Sequence, residues 1–200
     1  MGEMGDEPIR DLMARAPRRK FTVSDYHRMG DAGILGADDR VELIEGELFE
    51  MAPIGCLHAA AVNCLTMRLA QMAGDHYLLS SQNPVVISDF SEPQPDLALL
   101  ATRADRYRTA LPRASEVMLV IEVSDATARW DRVVKMSMYS RHGIAEAWLV
   151  EIPRRIVTVY RDPGPQGYRS STEVAQGTVS PLRMPELQLG IEEIFGPLAP

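Results

Sequence analysis

Cysteine is scarce in this chain, which holds only Cys56 and Cys64. Both fall in a segment whose apolar spacing predicts one helix, and eight residues of helix separate them by about 12 Å. A disulfide needs Cα atoms within about 7 Å of each other, so the two cysteines cannot join while this helix is intact. We therefore expect two free thiols, as is typical of proteins from a reducing compartment.

Long apolar runs are also missing. No run reaches the roughly 18 residues that a membrane span requires, and the polar N-terminal stretch, which ends in a basic cluster, does not resemble a signal peptide. The sequence therefore predicts no membrane partner and a cytoplasmic location. We expect residues 1–20 to form a mobile arm and residues 21–200 to form a single domain, because a hydrophobic content of 46% is enough for one core.

Lysine is also rare: 19 of the 21 basic residues are arginine, and only Lys20 and Lys135 are lysine. The net charge is −7, whereas proteins that bind nucleic acid without specificity usually present a basic face. This charge does not exclude an enzyme that holds a metal ion in an acidic site and cleaves DNA.

The first half of the chain shows three clear patterns. A short helix is predicted with Ser24 as its N-cap and Gly30 or Gly33 near its end. Alternating apolar and acidic residues then predict a β-hairpin that turns at residues 45–47. Apolar residues at helical spacing predict a long amphipathic helix over residues 56–73.

The second half alternates strands and one helix. Strands are predicted on either side of Asn83-Pro84, in "DLALLAT" and in "ASEVMLVIEVSD". Two further strands, "AEAWLVEI" and "RIVTVYRD", are joined by residues 153–155. The helix is "RWDRVVKMSMYSRHG", and "IEEIF" is predicted to form a last helical turn. The run "VMLVIEV" is almost entirely apolar, which is typical of a central strand buried on both faces. This order of elements predicts an α/β fold with a mixed sheet flanked by helices.

Two carboxylates stand beside these apolar strands. Asp96 opens one strand, Glu122 lies near the end of the central strand, and Lys135 follows on the next helix. Burying a charge is expensive unless it is paired or binds a metal. Two carboxylates at strand ends could hold Mg²⁺, which prefers oxygen ligands. Such an ion polarises a phosphate and activates water, and a nearby ammonium group could stabilise the developing charge.

Structural alternatives exist for each of these residues. Asp96 could be a turn residue at a strand edge, and Glu122 could pair with an arginine. Asp131 and Lys135 have the spacing of a surface ion pair worth about 0.3–0.5 kcal/mol. Use of lysine at position 135, in a chain that otherwise prefers arginine, favours a tight site, because lysine is a compact point charge.

Several motifs occur in a specific order along nearly the whole chain, from about Thr22 to Phe195. They are "RVELIEGELFEMAP" followed by His58, "PD" at Pro95-Asp96, "VIEVSDAT", and the run Asp131, Lys135, Tyr139, Gly143 and "EAWLVE". In these motifs the chain resembles the Uma2 family, within the PD-(D/E)xK nuclease superfamily. The resemblance implies a restriction-endonuclease-like mixed β-sheet flanked by helices, with a divalent-metal nuclease site.

The resemblance also implies roles for individual residues. Asp96 corresponds to the Asp of the "PD" motif, and Glu122 to the acidic residue of the second motif. The superfamily lysine, expected two positions after Glu122, is replaced by Ser124, and Lys135 resembles its migrated substitute. Glu42 corresponds to an N-terminal acidic residue of the family, although it could also be a solvent-facing hairpin residue. His58 corresponds to a polar neighbour in the first turn of a helix, although a single histidine is more often structural.

Two functions from different classes fit these residues. The first is an endonuclease that hydrolyses DNA with Mg²⁺ or Mn²⁺, in which Asp96, Glu122 and the Val123 carbonyl bind the ion, with Lys135 and Glu42 also in the catalytic site. The second is an inactive binding or regulatory protein that retains the nuclease fold; the net charge and Ser124 favour it. A homodimer is expected only by analogy with nucleases that cut both strands.

Overall fold

The computed structural model describes residues 16–36, 38–73 and 77–196. The strands are β1 (Val41–Ile44), β2 (Glu47–Glu50), β3 (Tyr77–Ser81), β4 (Leu97–Ala101), β5 (Val117–Ser124), β6 (Glu146–Glu151), β7 (Ile156–Arg161), β8 (Ser170–Val174), β9 (Thr178–Val179) and β10 (Leu189–Gly190). The helices are α1 (Val23–Asp31), α2 (Cys56–Ala73), α3 (Ala128–Trp130), α4 (Met136–Arg141) and α5 (Ile191–Phe195). A π-helical segment (Asp131–Lys135) joins α3 to α4, and we call these three pieces the crossover helix.

Strands β3 to β8 form one six-stranded sheet in chain order, in which β5 and β6 pair in parallel and all other neighbours are antiparallel. The apolar strand β5 lies inside this sheet, between β4 and β6, as its composition predicts. A parallel pair requires a long connection, and the crossover helix lies within that connection. The predicted mixed α/β sheet is therefore confirmed.

Helices cover both faces of the sheet. The apolar side of α2 packs on one face, where its buried residues meet alternate residues of β4 and β5; the α2 residues are Ala61, Val62, Leu65 and Leu69. The crossover helix packs on the opposite face through Met136, Met138 and Tyr139. The predicted bounds of α2 agree with the structure, and both cysteines on it are free thiols.

The β1–β2 hairpin turns through Glu45 and Gly46, both with positive φ (52° and 83°). Positive φ at both central residues is typical of the two-residue turn that matches the twist of a hairpin. The predicted hairpin is confirmed, although Glu47 is the first residue of β2 and not part of the turn. Backbone hydrogen bonds from Gly46 N–H to the Phe90 carbonyl (2.7 Å) and from Glu92 N–H to the Leu43 carbonyl (2.8 Å) attach this hairpin to the segment that leads into β4.

The N-cap of α1 is Thr22, so the assignment of Ser24 was wrong. The Thr22 hydroxyl accepts a hydrogen bond from Asp25 N–H (3.1 Å), and the Asp25 carboxylate accepts one from Thr22 N–H (3.1 Å). This reciprocal capping box satisfies two backbone groups at once. Ser24 offers no such arrangement and lies within the first turn.

The strand predicted after Asn83-Pro84 was also wrong. The segment folds back on itself, with Val85 N–H bonded to the Pro93 carbonyl (3.0 Å) and Ile87 N–H to the Ser91 carbonyl (2.9 Å), and Val86 forms only an isolated bridge with Arg113. Strand β8 was missed because its exposed sequence "SSTEV" has no apolar alternation.

Residues 1–15 of the predicted N-terminal arm lie outside the described residues. The remainder of the arm runs along the hairpin, where Arg18 forms an ion pair with Glu47 (3.5 Å). Lys20 packs so closely on Gly46 that a Cβ there would lie 2.5 Å from the Lys20 Cβ. Within the described residues, every helix is too short or too polar to cross a membrane.

Candidate active site

A cleft of about 480 Å³ opens where β4 begins and β5 ends. Because these strands are antiparallel, Asp96 before β4 and Glu122 near the end of β5 come to the same edge of the sheet. Two cations, Arg40 and Lys135, and six acidic residues line the cleft; the acidic residues are Glu42, Glu50, Asp96, Glu122, Asp125 and Asp131. The cleft is therefore strongly acidic.

Asp96 is held by the strand next to it and by the first turn of α2. Its Oδ2 accepts a hydrogen bond from Val123 N–H (2.8 Å) and lies 3.2 Å from His58 Nε2. The hydrogen bond with Asp96 raises the pKa of His58, although burial acts in the opposite direction. The buried Nδ1 of His58 has no hydrogen-bond partner of good geometry. His58 is therefore a neighbour of the predicted site, as the resemblance implies, and contacts Asp96 directly.

Glu122 is almost fully buried and has two side-chain partners. Its Oε1 accepts a 2.5 Å hydrogen bond from the Tyr139 hydroxyl, and its Oε2 lies 3.4 Å from Lys135 Nζ. Burial raises the pKa of Glu122 well above its usual value; Lys135 opposes this shift, and the carboxylates of Asp131 and Asp96 add to it. The cation beside Glu122 is thus a lysine, and the alternative of an arginine pair is not observed.

Lys135 joins the carboxylates of two different elements. Its Nζ lies 3.1 Å from Glu42 Oε1 as well as 3.4 Å from Glu122 Oε2, and the residue is only 6% exposed. Burial alone would lower the pKa of Lys135, but the Glu122 and Glu42 carboxylates hold it above its usual value. The alternative of a surface ion pair with Asp131 is wrong, because both residues are buried.

The segment from Asp131 to Lys135 is π-helical, and both of its end residues line the cleft. Met136 N–H donates to the Asp131 carbonyl, one residue further back than in an α-helix. Such widened turns are rare and frequently occur at functional sites. The Asp131 carboxylate accepts a 2.7 Å hydrogen bond from the Thr127 hydroxyl, which in turn lies 3.1 Å from Ser124 Oγ. Ser124 therefore contacts a polar chain that leads to Asp131, at the position where the superfamily has lysine.

Glu42 projects from β1 into the cleft and is buried, so it is not a solvent-facing hairpin residue. Its Oε1 contacts Lys135, and its Oε2 accepts a hydrogen bond from Gln94 N–H (3.2 Å). The hairpin, β5 and the crossover helix thus contribute Glu42, Glu122 and Lys135 to one buried ionic group.

The donors of this cleft fit a hard divalent cation held in an open site. Among residues 16–36, 38–73 and 77–196, no three His, Cys, Asp or Glu side chains converge to hold an ion by themselves. Mg²⁺ commonly uses one or two carboxylates, with waters and substrate phosphates as its other ligands. Asp96 and Glu122 supply two carboxylates beside the Val123 backbone. Burial and the nearby carboxylates of Asp131 and Asp96 raise the pKa of Glu122, and a bound cation would favour its charged form.

The sequence predicted no part in the site for Tyr139 or for the aromatic wall of the cleft, and it placed Asp131 only in a possible surface ion pair. Tyr139 follows Lys135 by four residues on a helix, so both side chains share one face, and this spacing could have placed it beside Glu122. The aromatic wall pairs Phe49 of β2 with Trp130 of α3, at 4.6 Å between ring centroids. Nothing in the sequence brings these two distant residues together.

The comparisons with known proteins concern the family and the fold of the chain. A family model described as "Uma2: Putative restriction endonuclease" matches residues 23–193. The chain is also similar to a crystal structure from Anabaena variabilis ATCC 29413, described as "a putative nuclease belonging to DUF820", with a TM-score of 0.69 and 15% identity over 88% of this chain and 97% of the other. At that identity the likeness shows the fold, which is that of a protein described as a nuclease. A search of curated proteins gave no match. Because the family model covers most of the sequence, the chain belongs to the Uma2 family.

Proposed function

We propose that this protein is a divalent-metal-dependent endonuclease that hydrolyses DNA phosphodiester bonds. The observation that carries the proposal is the convergence of Asp96, Glu122, Glu42 and Lys135, from four separate elements, in one acidic cleft. Buried charges are expensive, and ionisable groups perturbed by burial and by one another are typical of active sites. The Uma2 family match and the fold support the same activity.

In this proposal Asp96 and Glu122, with the Val123 carbonyl, hold Mg²⁺ or Mn²⁺. When bound, the ion supplies Lewis-acid polarisation of the phosphate and lowers the pKa of a water molecule. The Lys135 ammonium group orients the attacking water or stabilises charge that develops on the phosphate. Glu42 holds this ammonium group in place through its 3.1 Å contact. A cytoplasmic location and a homodimer remain predictions.

The second candidate is a binding or regulatory protein that retains the fold without the chemistry. Ser124 favours it, because the position that carries lysine in the superfamily is occupied by a buried serine bonded to Thr127. The position of Lys135 favours the enzyme, because its Nζ lies within 3.4 Å of the Glu122 carboxylate from another element.

The decisive experiment incubates supercoiled plasmid with purified protein and Mg²⁺, Mn²⁺ or EDTA. The parent should nick or linearise the plasmid only with a divalent ion, and Glu122→Gln, which keeps the size of the side chain, should not. Glu173→Gln is the matched control, because Glu173 is an exposed residue of β8 outside the cleft lining. Equal cleavage by Glu122→Gln would disprove the role of Glu122, and failure of the parent to cut with either ion would favour the binding protein.

A further inference from the structure

The side walls of the cleft are aromatic, although its floor is acidic. Phe49 and Trp130 face each other with an interplanar angle of 51°, and both rings line the same cleft as Asp96 and Glu122. Phe49 also packs against the apolar cluster beneath it, whereas Trp130 belongs to neither apolar cluster of the described residues. Trp130 therefore packs on Phe49 at the edge of the core, and part of its indole stays exposed at the cleft.

The charge of the cleft is unsuited to an extended run of DNA backbone, paired or unpaired. Of its two cations, Lys135 already contacts Glu42 and Glu122, and six acidic residues surround them. Binding of a longer backbone relies on several cations that neutralise successive phosphates. The volume of about 480 Å³ is also in the range of pockets that enclose one small ligand. The cleft therefore has the size and chemistry for one nucleotide, with few cations for further phosphates.

We propose that the cleft binds an unpaired DNA nucleotide whose base stacks on Trp130 beside Phe49, with its phosphate above the carboxylates. The inference rests on the proposed nuclease function and narrows its substrate to single-stranded or locally opened DNA. Bases stack on aromatic side chains with little sequence preference, because every base has a π-face. Stacking thus supplies affinity that the acidic floor does not, and a metal ion held by Asp96 and Glu122 would bind the phosphate.

The positions of the two tryptophans make this proposal directly measurable. Trp148, the other tryptophan of the chain, is fully buried in β6 and donates a 3.0 Å hydrogen bond to Glu146. A ligand in the cleft therefore quenches the emission of Trp130 and leaves that of Trp148 unchanged. Emission from Trp148 also reports whether each variant is folded.

The experiment titrates three DNAs of equal length, in Mg²⁺, into Lys135→Arg, which keeps both proposed metal ligands and is expected to cut poorly. The other variants are made in this background. The DNAs are a single strand, a blunt duplex, and a duplex with one unpaired bulge. We expect saturable quenching by the single strand and the bulge, and weaker binding of the blunt duplex. The affinities of the Trp130 variants are measured from the fluorescence anisotropy of end-labelled DNA, because these variants lack the quenched indole. Trp130→Ala should weaken binding about 5- to 150-fold, the usual effect of losing one stacked base. Trp130→Phe should retain most of the affinity.

The control variant is Met67→Ala, because Met67 is an exposed apolar residue of α2 that does not line the cleft. Tight binding of the blunt duplex, unchanged affinity in Trp130→Ala, or absence of binding to all three DNAs would each overturn the inference. If Trp130→Ala cleaves plasmid at the rate of the parent, the stacking site is disproved and the nuclease function is unaffected. Conversely, Trp130-dependent binding of single strands by a protein that never cuts would disprove the nuclease function alone.

Discussion

The Tyr139 hydroxyl donates a 2.5 Å hydrogen bond to Oε1 of Glu122, at a point where both side chains are almost completely buried. This bond fixes the plane of the carboxylate and leaves Oε2 facing Lys135. Tyr139 thus acts through Glu122, as a positioning residue.

Tyr139→Phe should lower both stability and metal affinity. Loss of the hydroxyl leaves a buried acceptor unpaired, which costs about 1–3 kcal/mol in the free energy of unfolding. Partners that orient a metal ligand typically contribute 10- to 100-fold to affinity, so Mn²⁺ binding should weaken by about that factor. Urea denaturation and calorimetry measure the two effects. Tyr168→Phe is the control, because its hydroxyl bonds to the Ile144 carbonyl (2.9 Å) away from the cleft; equal loss of Mn²⁺ affinity in both variants would contradict the role of Tyr139.

Lys135→Met should lower the cleavage rate by roughly 100- to 1,000-fold, the usual effect of removing one donor that stabilises developing charge. It should also cost about 3–5 kcal/mol in stability, because Glu42 and Glu122 lose the cation between them. Lys135→Arg should also be poor, since a planar guanidinium group does not fit where a compact ammonium group lies. Metal binding should persist in both variants, because the proposed ligands are Asp96 and Glu122. Single-turnover cleavage, urea denaturation and Mn²⁺ calorimetry test these effects, and full activity in Lys135→Met would rule out a catalytic role.

Divalent ions should stabilise the folded protein through the same two carboxylates. At a Mg²⁺ or Mn²⁺ concentration 100 times the dissociation constant, the free energy of unfolding should rise by about 2.7 kcal/mol. Asp96→Asn and Glu122→Gln should each abolish most of this gain without unfolding the protein. Thermal denaturation with and without the ion provides the measurement, and an undiminished gain in either variant would remove that residue from the metal site.

The two cysteines should react as free thiols at different rates. Cys56 is exposed at the start of α2, whereas burial raises the pKa of Cys64, whose Sγ lies 3.2 Å from the Glu193 carbonyl. Because the thiolate is the reactive form, Cys56 should be alkylated first in the native protein. Timed alkylation followed by mass spectrometry, without reductant, shows the order. A protein that takes up no label after denaturation would contain the disulfide that the helix forbids.

The sequence predicted those parts of the fold that depend on strong local patterns. The apolar run of β5, the periodicity of α2 and the turn at Glu45-Gly46 all agree with the structure. Strand β8 lacked such a pattern, because an exposed edge needs no apolar alternation. Thr22 was missed as a cap because Ser24 has equally suitable chemistry, and only the reciprocal bond with Asp25 distinguishes them.

The sequence likewise predicted some residues of the candidate site but not the contacts between them. The residue pattern gave Asp96, Glu122 and Lys135 as candidates, and the resemblance added Glu42 and His58. The structure brings all five into one cleft, while their roles stay predictions. The contact of Glu42 with Lys135 depends on how the hairpin packs, which local sequence does not encode. The π-helical segment could not be predicted either, because moving one backbone hydrogen bond back by one residue requires no particular residue types.

The parallel pairing of β5 with β6 has a consequence for the order in which the site assembles during synthesis. The crossover helix that carries Lys135 is anchored at its far end only when β6 (Glu146–Glu151) has emerged and paired with β5. Such non-local pairing is slow to form. A growing chain therefore exposes Asp96 and Glu122 well before Lys135 is held beside them, so we expect unfinished chains on the ribosome to leave nearby DNA uncut.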